Sequence, residues 1–263
     1  MSDSITLLAA GSLRAAFSSL LDEFQQQTQI RVDVSFGPAG LLRERIEAGE
    51  PCSIFASANT IHPQQLKQSG LAVRCDTFAH NQLMITARDS IFSDPTDWLD
   101  LLTCHEHRIA TSTPICDPSG DYTWQLFEKI EAKFPSVGKD LMERALQLVG
   151  GKSGVTIPQG QMAAAWLIQQ ELADIFIGYA HYAKQLALMD GLQTIEIPKE
   201  WNVQAEYQLA LLKPAYLKPE YLTPEHLERS QAELVQLEQA QSLYDFILSS
   251  AGQKHLTQAG FCI

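Results

Sequence analysis

The chain has 263 residues, 45% of them hydrophobic and 19% charged. That is long enough for one large domain or two medium ones, and too apolar for a disordered chain. The formal net charge of −12 argues against a nucleic-acid surface and an anionic membrane surface, but leaves room for a small anion held by local dipoles.

No stretch approaches the roughly 18 to 20 apolar residues needed to cross a bilayer. The first strand begins almost at Met1, which leaves no room for a signal peptide. Either a mature form has been given a new start, or Met1 is the native start and the protein is expected to stay in the cytoplasm. Five scattered cysteines (Cys52, Cys75, Cys104, Cys116, Cys262) form no CxxC pair, so neither a disulfide framework nor a zinc ribbon is indicated.

The run from Ile5 to Ala10 reads as a buried strand. Gly11-Ser12 is its corner, with Ser12 in or near the N-cap of a helix carrying Leu13, Phe17, Leu20, Leu21 and Phe24. Arg31 to Phe36 alternates like a second strand. Gly37-Pro38-Ala39-Gly40 is a turn, and Leu41 to Ala48 is helical. Ser53 to Ala56 is a third strand, closed by Ser57-Ala58-Asn59, and Ile61 to Gly70 a third helix. Three strand–helix alternations predict a parallel sheet with crossover helices, with ligands beyond the carboxyl ends of the strands.

Leu83 to Thr86 is a strand, followed by a loop with Pro95, a short helix over Trp98 to Leu102, and a strand at Arg108 to Ala110. A helix runs from Asp121 through Trp124, Phe127 and Ile130. Pro158-Gln159-Gly160-Gln161 opens another over Met162 to Gln170, and Asp174 to Gly178 is a buried strand ending at Tyr179. A strand over Tyr207 to Leu212 and helices over Ala232 to Ser249 and Gly252 to Ala259 complete the chain. The turns at 11–12, 37–40, 117–120 and 158–161 each precede a helix. Four such starts converging on one cleft hold a dianion with neutral donors alone.

Other motifs read as structural. Cys104-His105-Glu106-His107 lacks a further ligand cluster and reads as a solvated turn. Gly150-Gly151-Lys152-Ser153 echoes a phosphate loop, but that motif needs glycine where Leu146 stands. Asp121 complements a helix dipole, Trp124 and Trp166 belong to the core, and Glu225 to Gln241 is a solvated face. No cofactor fingerprint appears, and nothing places a His and an acid beside Ser12, so an enzyme is not indicated.

The stretches Ala9-Ala10-Gly11-Ser12-Leu13, Phe36-Gly37-Pro38-Ala39-Gly40, Arg45-Ile46-Glu47-Ala48-Gly49 and Phe55-Ala56-Ser57-Ala58-Asn59 resemble the periplasmic molybdate-binding proteins of ABC importers. So do Asp117-Pro118-Ser119-Gly120-Asp121-Tyr122, Ala173 to Tyr179, and Phe246 to Gln253 with Gly260-Phe261. The resemblance implies an α/β, two-lobed periplasmic-binding-protein type II fold. Each lobe would be a mixed, mostly parallel sheet flanked by helices, with two crossover segments that allow hinge closure. Lobe 1 would take residues 1–81 and 202–263, lobe 2 residues 82–201, with the ligand cleft between them.

The same resemblance implies a solute-binding protein, with no cofactor and no protein-coordinated cation. It would be a monomer that captures molybdate or tungstate and delivers it to a membrane-embedded ABC importer permease. The alternatives are another oxyanion or small anionic solute, or a ligand-sensing domain of a regulatory system. Position by position, Ser12 matches a serine giving hydroxyl and N–H to the oxyanion. Ser119 and Gln161 match backbone N–H donors, and Tyr179 matches a tyrosine donating its phenol. Ala39 departs, because the family generally has serine there: the N–H stays and a hydroxyl donor is lost.

Overall fold

The computed structural model describes residues 4–92, 96–213 and 224–263, with the side chains of 224–233 outside that description. Pro95 and the first part of the Glu225 to Gln241 run therefore lie outside the described side chains. The chain forms two compact units, Met1–His80 with Glu206–Ile263, and Asn81–Ala205.

In the first unit, β1 (Ser4–Ala10), α1 (Arg14–Thr28), β2 (Arg31–Gly37), α2 (Ala39–Glu47), β3 (Ile54–Ser57) and α3 (Ile61–Gln68) alternate, and β4 (Ala72–Arg88) follows. β1 pairs in parallel with β2 (Ala9↔Phe36) and with β3 (Ala9↔Ala56), as the three strand–helix alternations require. Ile5, Leu7, Phe17, Leu20, Phe24 and Phe55 are fully buried. β1 and β3 are continuous apolar runs because both of their faces are covered, whereas the edge strand β2 alternates exposed and half-buried residues along Arg31 to Phe36.

The second unit continues through α4 (Trp98–Thr103), β5 (Ile109–Ser112), α5 (Pro118–Lys133), α6 (Val137–Arg144) and β6 (Leu146–Val149). It closes with α7 (Ala163–Gln169), β7 (Ile175–Tyr179), α8 (Ala183–Leu186) and β8 (Leu192–Glu196). The second half of β4 pairs antiparallel with β7 (Leu83↔Tyr179) and β8 (Met84↔Glu196). β7 is parallel to β5, and β5 to β6. Then β9 (Gln204–Leu212) returns the chain to the first unit, where it pairs antiparallel with β3 (Ile54↔Leu211). There α9 (Pro224–Leu248) and α10 (Ser250–Gln258) end the fold. The architecture is α/β, with mixed strand pairing flanked by helices.

Several elements differ from the sequence reading. β4 starts at Ala72, eleven residues before Leu83, where polar Arg74, Asp76 and His80 break the apolar pattern. Those polar groups have uses: Arg74 pairs with Asp76 (2.6 Å) and Asp245 (2.7 Å), and Asp76 accepts from the Tyr244 hydroxyl (2.9 Å), while the backbone of His80 makes a two-bond bridge with that of Cys262. α5 starts at Pro118 rather than Asp121, because Asp117 caps it and proline suits the first helical position. The 158–161 turn leads into α7, which runs over Ala163–Gln169 with Met162 and Gln170 at its caps. The elements α6, β6, α8 and β8 were not read from the sequence. The Cys104 to His107 turn is held by Arg144, whose guanidinium donates to the carbonyls of Leu102, Cys104 and His107.

Candidate functional site

In the first unit, the carboxyl ends of β2, β1 and β3 lie side by side, with Ala10 opposite Gly37 and Ala9 opposite Ala56. Ser12 sits in a single 3-10 turn, Gly11–Leu13, between β1 and α1. That turn moves the N-cap of α1 to Leu13, so the Ser12 side chain caps nothing. Its hydroxyl lies instead 3.0 Å from the Tyr207 hydroxyl. Ala39 is the first residue of α2, buried behind Pro38. Neither α1 nor α2 has a side-chain cap or an acidic residue in its first turn. The Gly11–Leu13 turn that leads into α1, whose Arg14 N–H is already taken by the Gly11 carbonyl, and the start of α2 therefore present N–H groups and positive dipole ends on one sheet edge, with no carboxylate from those first turns to neutralise them. The nearby cation Arg14 stacks on the Phe36 ring, 4.5 Å from its centroid.

In the second unit, β5 and β7 are parallel neighbours. Tyr179 ends β7 and is 6% exposed, and Ser119 lies in the first turn of α5. This helix start differs from the two in the first unit, because Asp117 caps it. The Ser119 N–H donates to the Asp117 carboxylate at 3.1 Å. Burial pushes the Asp117 carboxyl up to about 6, against the opposing hydrogen bonds from the Ser119 N–H and the Ser112 hydroxyl. Asp121 accepts from the Ile115 N–H at 2.7 Å. Ile115 is β-branched yet held at φ 71°, with its side chain 74% exposed, a strained backbone in the loop between β5 and α5.

Glycines make this corner possible. A Cβ on Gly120 would come within 2.6 Å of the Ser112 carbonyl and the Pro114 nitrogen, so α5 meets the β5 corner backbone to backbone. Gly120→Ala is expected to cost roughly 1–3 kcal/mol in thermal or denaturant unfolding of the protein. Wild-type stability in that variant would show that the corner yields. Gly150, at φ 75°, packs where a Cβ would lie 2.6 Å from the Asp117 carboxylate, which gives the Gly150-Gly151 pair a structural use.

Gln161 is exposed, and its N–H donates to the Pro158 carbonyl at 3.1 Å. The fold thus gathers Ser12 and Ala39 on one edge of the first unit. In the second it places Tyr179 at the end of β7 and Ser119 in the first turn of α5, the helix that follows the parallel neighbour β5, and it puts Gln161 in a turn before α7.

Three residues near these positions escaped the sequence reading. Tyr207 touches Ser12. Asn81 and His181 form a buried pair two residues beyond Tyr179: the Asn81 Oδ1 accepts from the Gln82 N–H (2.8 Å), which assigns its Nδ2 as the donor to His181 Nδ1 (2.7 Å). That leaves the imidazole proton on Nε2. The Tyr207–Ser12 and Asn81–His181 contacts join residues at least a hundred positions apart, and nothing local in the sequence marks them.

An uncharacterised protein of Pasteurella multocida is 43% identical over 205 residues, covering 78% of this chain and 85% of that one. The molybdate-binding protein ModA of Escherichia coli is 29% identical over 137 residues, covering 49% of this chain and 52% of that one. Among solved structures, the periplasmic molybdate-binding protein of Azotobacter vinelandii superposes with a TM-score of 0.69 at 20% identity, over 99% of each chain. The sulfate-binding protein SubI of Mycobacterium tuberculosis gives 0.70 at 18% identity, over 99% of this chain and 86% of that one. The named proteins among these are molybdate- and sulfate-binding proteins. The profile of the bacterial extracellular solute-binding proteins matches residues 5–262, and the chain belongs to that family.

Proposed function

We propose that the protein captures a tetrahedral oxyanion, molybdate or tungstate first, and delivers it to a membrane-embedded ABC importer. The observation that carries this reading is the pair of uncapped, acid-free helix starts of α1 and α2 on one sheet edge, with Ser12 in the turn between β1 and α1. Backbone N–H groups and a hydroxyl there recognise a proton-free anion without a buried lysine or arginine. Tyr179 is proposed to donate from lobe 2 and Ser119 to offer its N–H, with the ligand between residues 1–81 plus 202–263 and residues 82–201. Gln161 enters that shell only if its N–H leaves the Pro158 carbonyl. The protein acts in this reading as a periplasmic monomer. Titration calorimetry with molybdate, tungstate, sulfate, phosphate and small carboxylates tests it, and heat from none of the oxyanions would refute it.

Two observations favour the second reading, another oxyanion or small anionic solute. Ala39 offers no hydroxyl, and Asp117 places an ionisable carboxyl at the α5 start. An ionised carboxylate there accepts a hydrogen bond from a protonated anion and repels a bare dianion. The position of Ala39 supplies a direct check. Ala39→Ser restores a hydroxyl at the first residue of α2 and is expected to tighten molybdate or tungstate binding about tenfold, the worth of one hydrogen bond to a charged group. Unchanged affinity for every oxyanion would remove residue 39 from the site.

A further inference from the structure

We propose that Tyr207 is a positioning residue for ligand binding: its phenol donates to the Ser12 hydroxyl and thereby commits the single Ser12 proton to the bound anion. The proposal rests on Ser12 being an anion contact. Tyr207 lies on β9, one residue past Glu206, where the chain re-enters the first unit, and is fully buried. Its ring is fixed edge-on against Phe261, with centroids 5.1 Å apart, and against Phe78 at 6.2 Å. That leaves the phenol little freedom to turn away. Its oxygen stands 3.0 Å from Ser12 Oγ, and geometry alone allows either atom to donate.

The chemistry of the ligand decides the direction. A proton-free oxyanion only accepts hydrogen bonds, and serine has one proton and two lone pairs. If Ser12 gave its proton to Tyr207, the anion would meet Ser12 lone pairs and be repelled. With Tyr207 as donor, the order becomes phenol to serine to anion, and each bond polarises the next. The arrangement matters here because Ala39 brings no hydroxyl, so Ser12 is the one side-chain hydroxyl among the proposed contacts of this unit. Ser12 is freed for this role because Leu13, not Ser12, occupies the cap position of α1.

Calorimetry with molybdate on wild type, Tyr207→Phe, Ser12→Ala and the double variant tests the proposal. Tyr207→Phe is expected to weaken binding about three- to tenfold, Ser12→Ala about tenfold or more, and the double variant no more than Ser12→Ala alone. Losses that multiply, or a Tyr207→Phe protein that melts earlier yet binds like wild type, would overturn it. Should Tyr207→Phe not fold, site-specific 3,5-difluorotyrosine at 207 keeps the ring and strengthens its O–H as a donor. Tighter molybdate binding is then expected, and weaker or equal binding would overturn the proposal. If the wild-type protein binds none of molybdate, tungstate and sulfate, the oxyanion reading fails and this proposal with it. If wild type binds and only the Tyr207 arms are silent, this proposal alone fails.

Discussion

Tyr179→Phe is expected to weaken molybdate binding tenfold or more while leaving the melting temperature of the ligand-free protein nearly unchanged. Removing a hydroxyl that donates to a charged ligand costs roughly 1.5–3 kcal/mol. The position of the ring does not depend on that hydroxyl. Tyr179 ends β7, where pairing with Leu83 on β4 sets its register, and phenylalanine fills the same buried space. The ring lies 6.0 Å from that of His181, whose tautomer is fixed by Asn81, so its surroundings are already ordered. The variant therefore separates a phenol that binds from a tyrosine that only packs. Equal affinity for every oxyanion in wild type and variant would make Tyr179 a core residue.

The arrangement of the first unit was legible because its signals are local. Alternation along Arg31 to Phe36, apolar runs at Ile5 to Ala10 and Ser53 to Ala56, and glycine-rich corners between them dictate parallel strands joined by helices. The structure has these elements within a residue or two. The start of β4 was hidden because its polar residues are satisfied by distant partners, such as Asp245 for Arg74 and Tyr244 for Asp76. Ser12 reads in sequence as a helix cap. Only the fold shows that a 3-10 turn displaces it and that a hydroxyl from residue 207 meets it instead. Asp117 was visible as part of a motif. Its Asp-Pro pair also carries a local cap signal, an acceptor two residues before the Ser119 N–H with proline at the first helical position, and starting the helix at Asp121 overlooked it.

Between pH 4 and 6.5 the two units are expected to respond to acid with opposite sign. In the first unit His62 is buried on α3, with its Nδ1 3.3 Å from the Arg43 guanidinium. Burial first, and Arg43 second, push it down to about 4. An unfolded histidine titrates near 6.5, so in this window the unfolded chain binds more protons. The contribution of His62 is thus fully present above about 6.5 and is lost as pH falls to about 4, a change on the order of 3 kcal/mol. In the second unit, burial holds Asp117 up at about 6 against an ordinary value near 3.9, so here the folded state binds more protons. Its contribution is fully present below about 4 and is lost as pH rises through about 6, again on the order of 3 kcal/mol. Asp121, also raised by burial, adds to the second slope, whereas Asp174 is held below the ordinary carboxylate range by Arg108 and changes only under this window. The two slopes largely cancel in a single melting curve, so the measurement must resolve the units. Amide hydrogen exchange, corrected for intrinsic rates, should show core protection in α1 and β1 falling with acid while that in α5 and β7 rises. His62→Gln should flatten the first trend alone, and Asp117→Asn the second alone. Trends of the same sign in both units, or a variant that flattens the wrong one, would show that these two buried groups do not set the pH response.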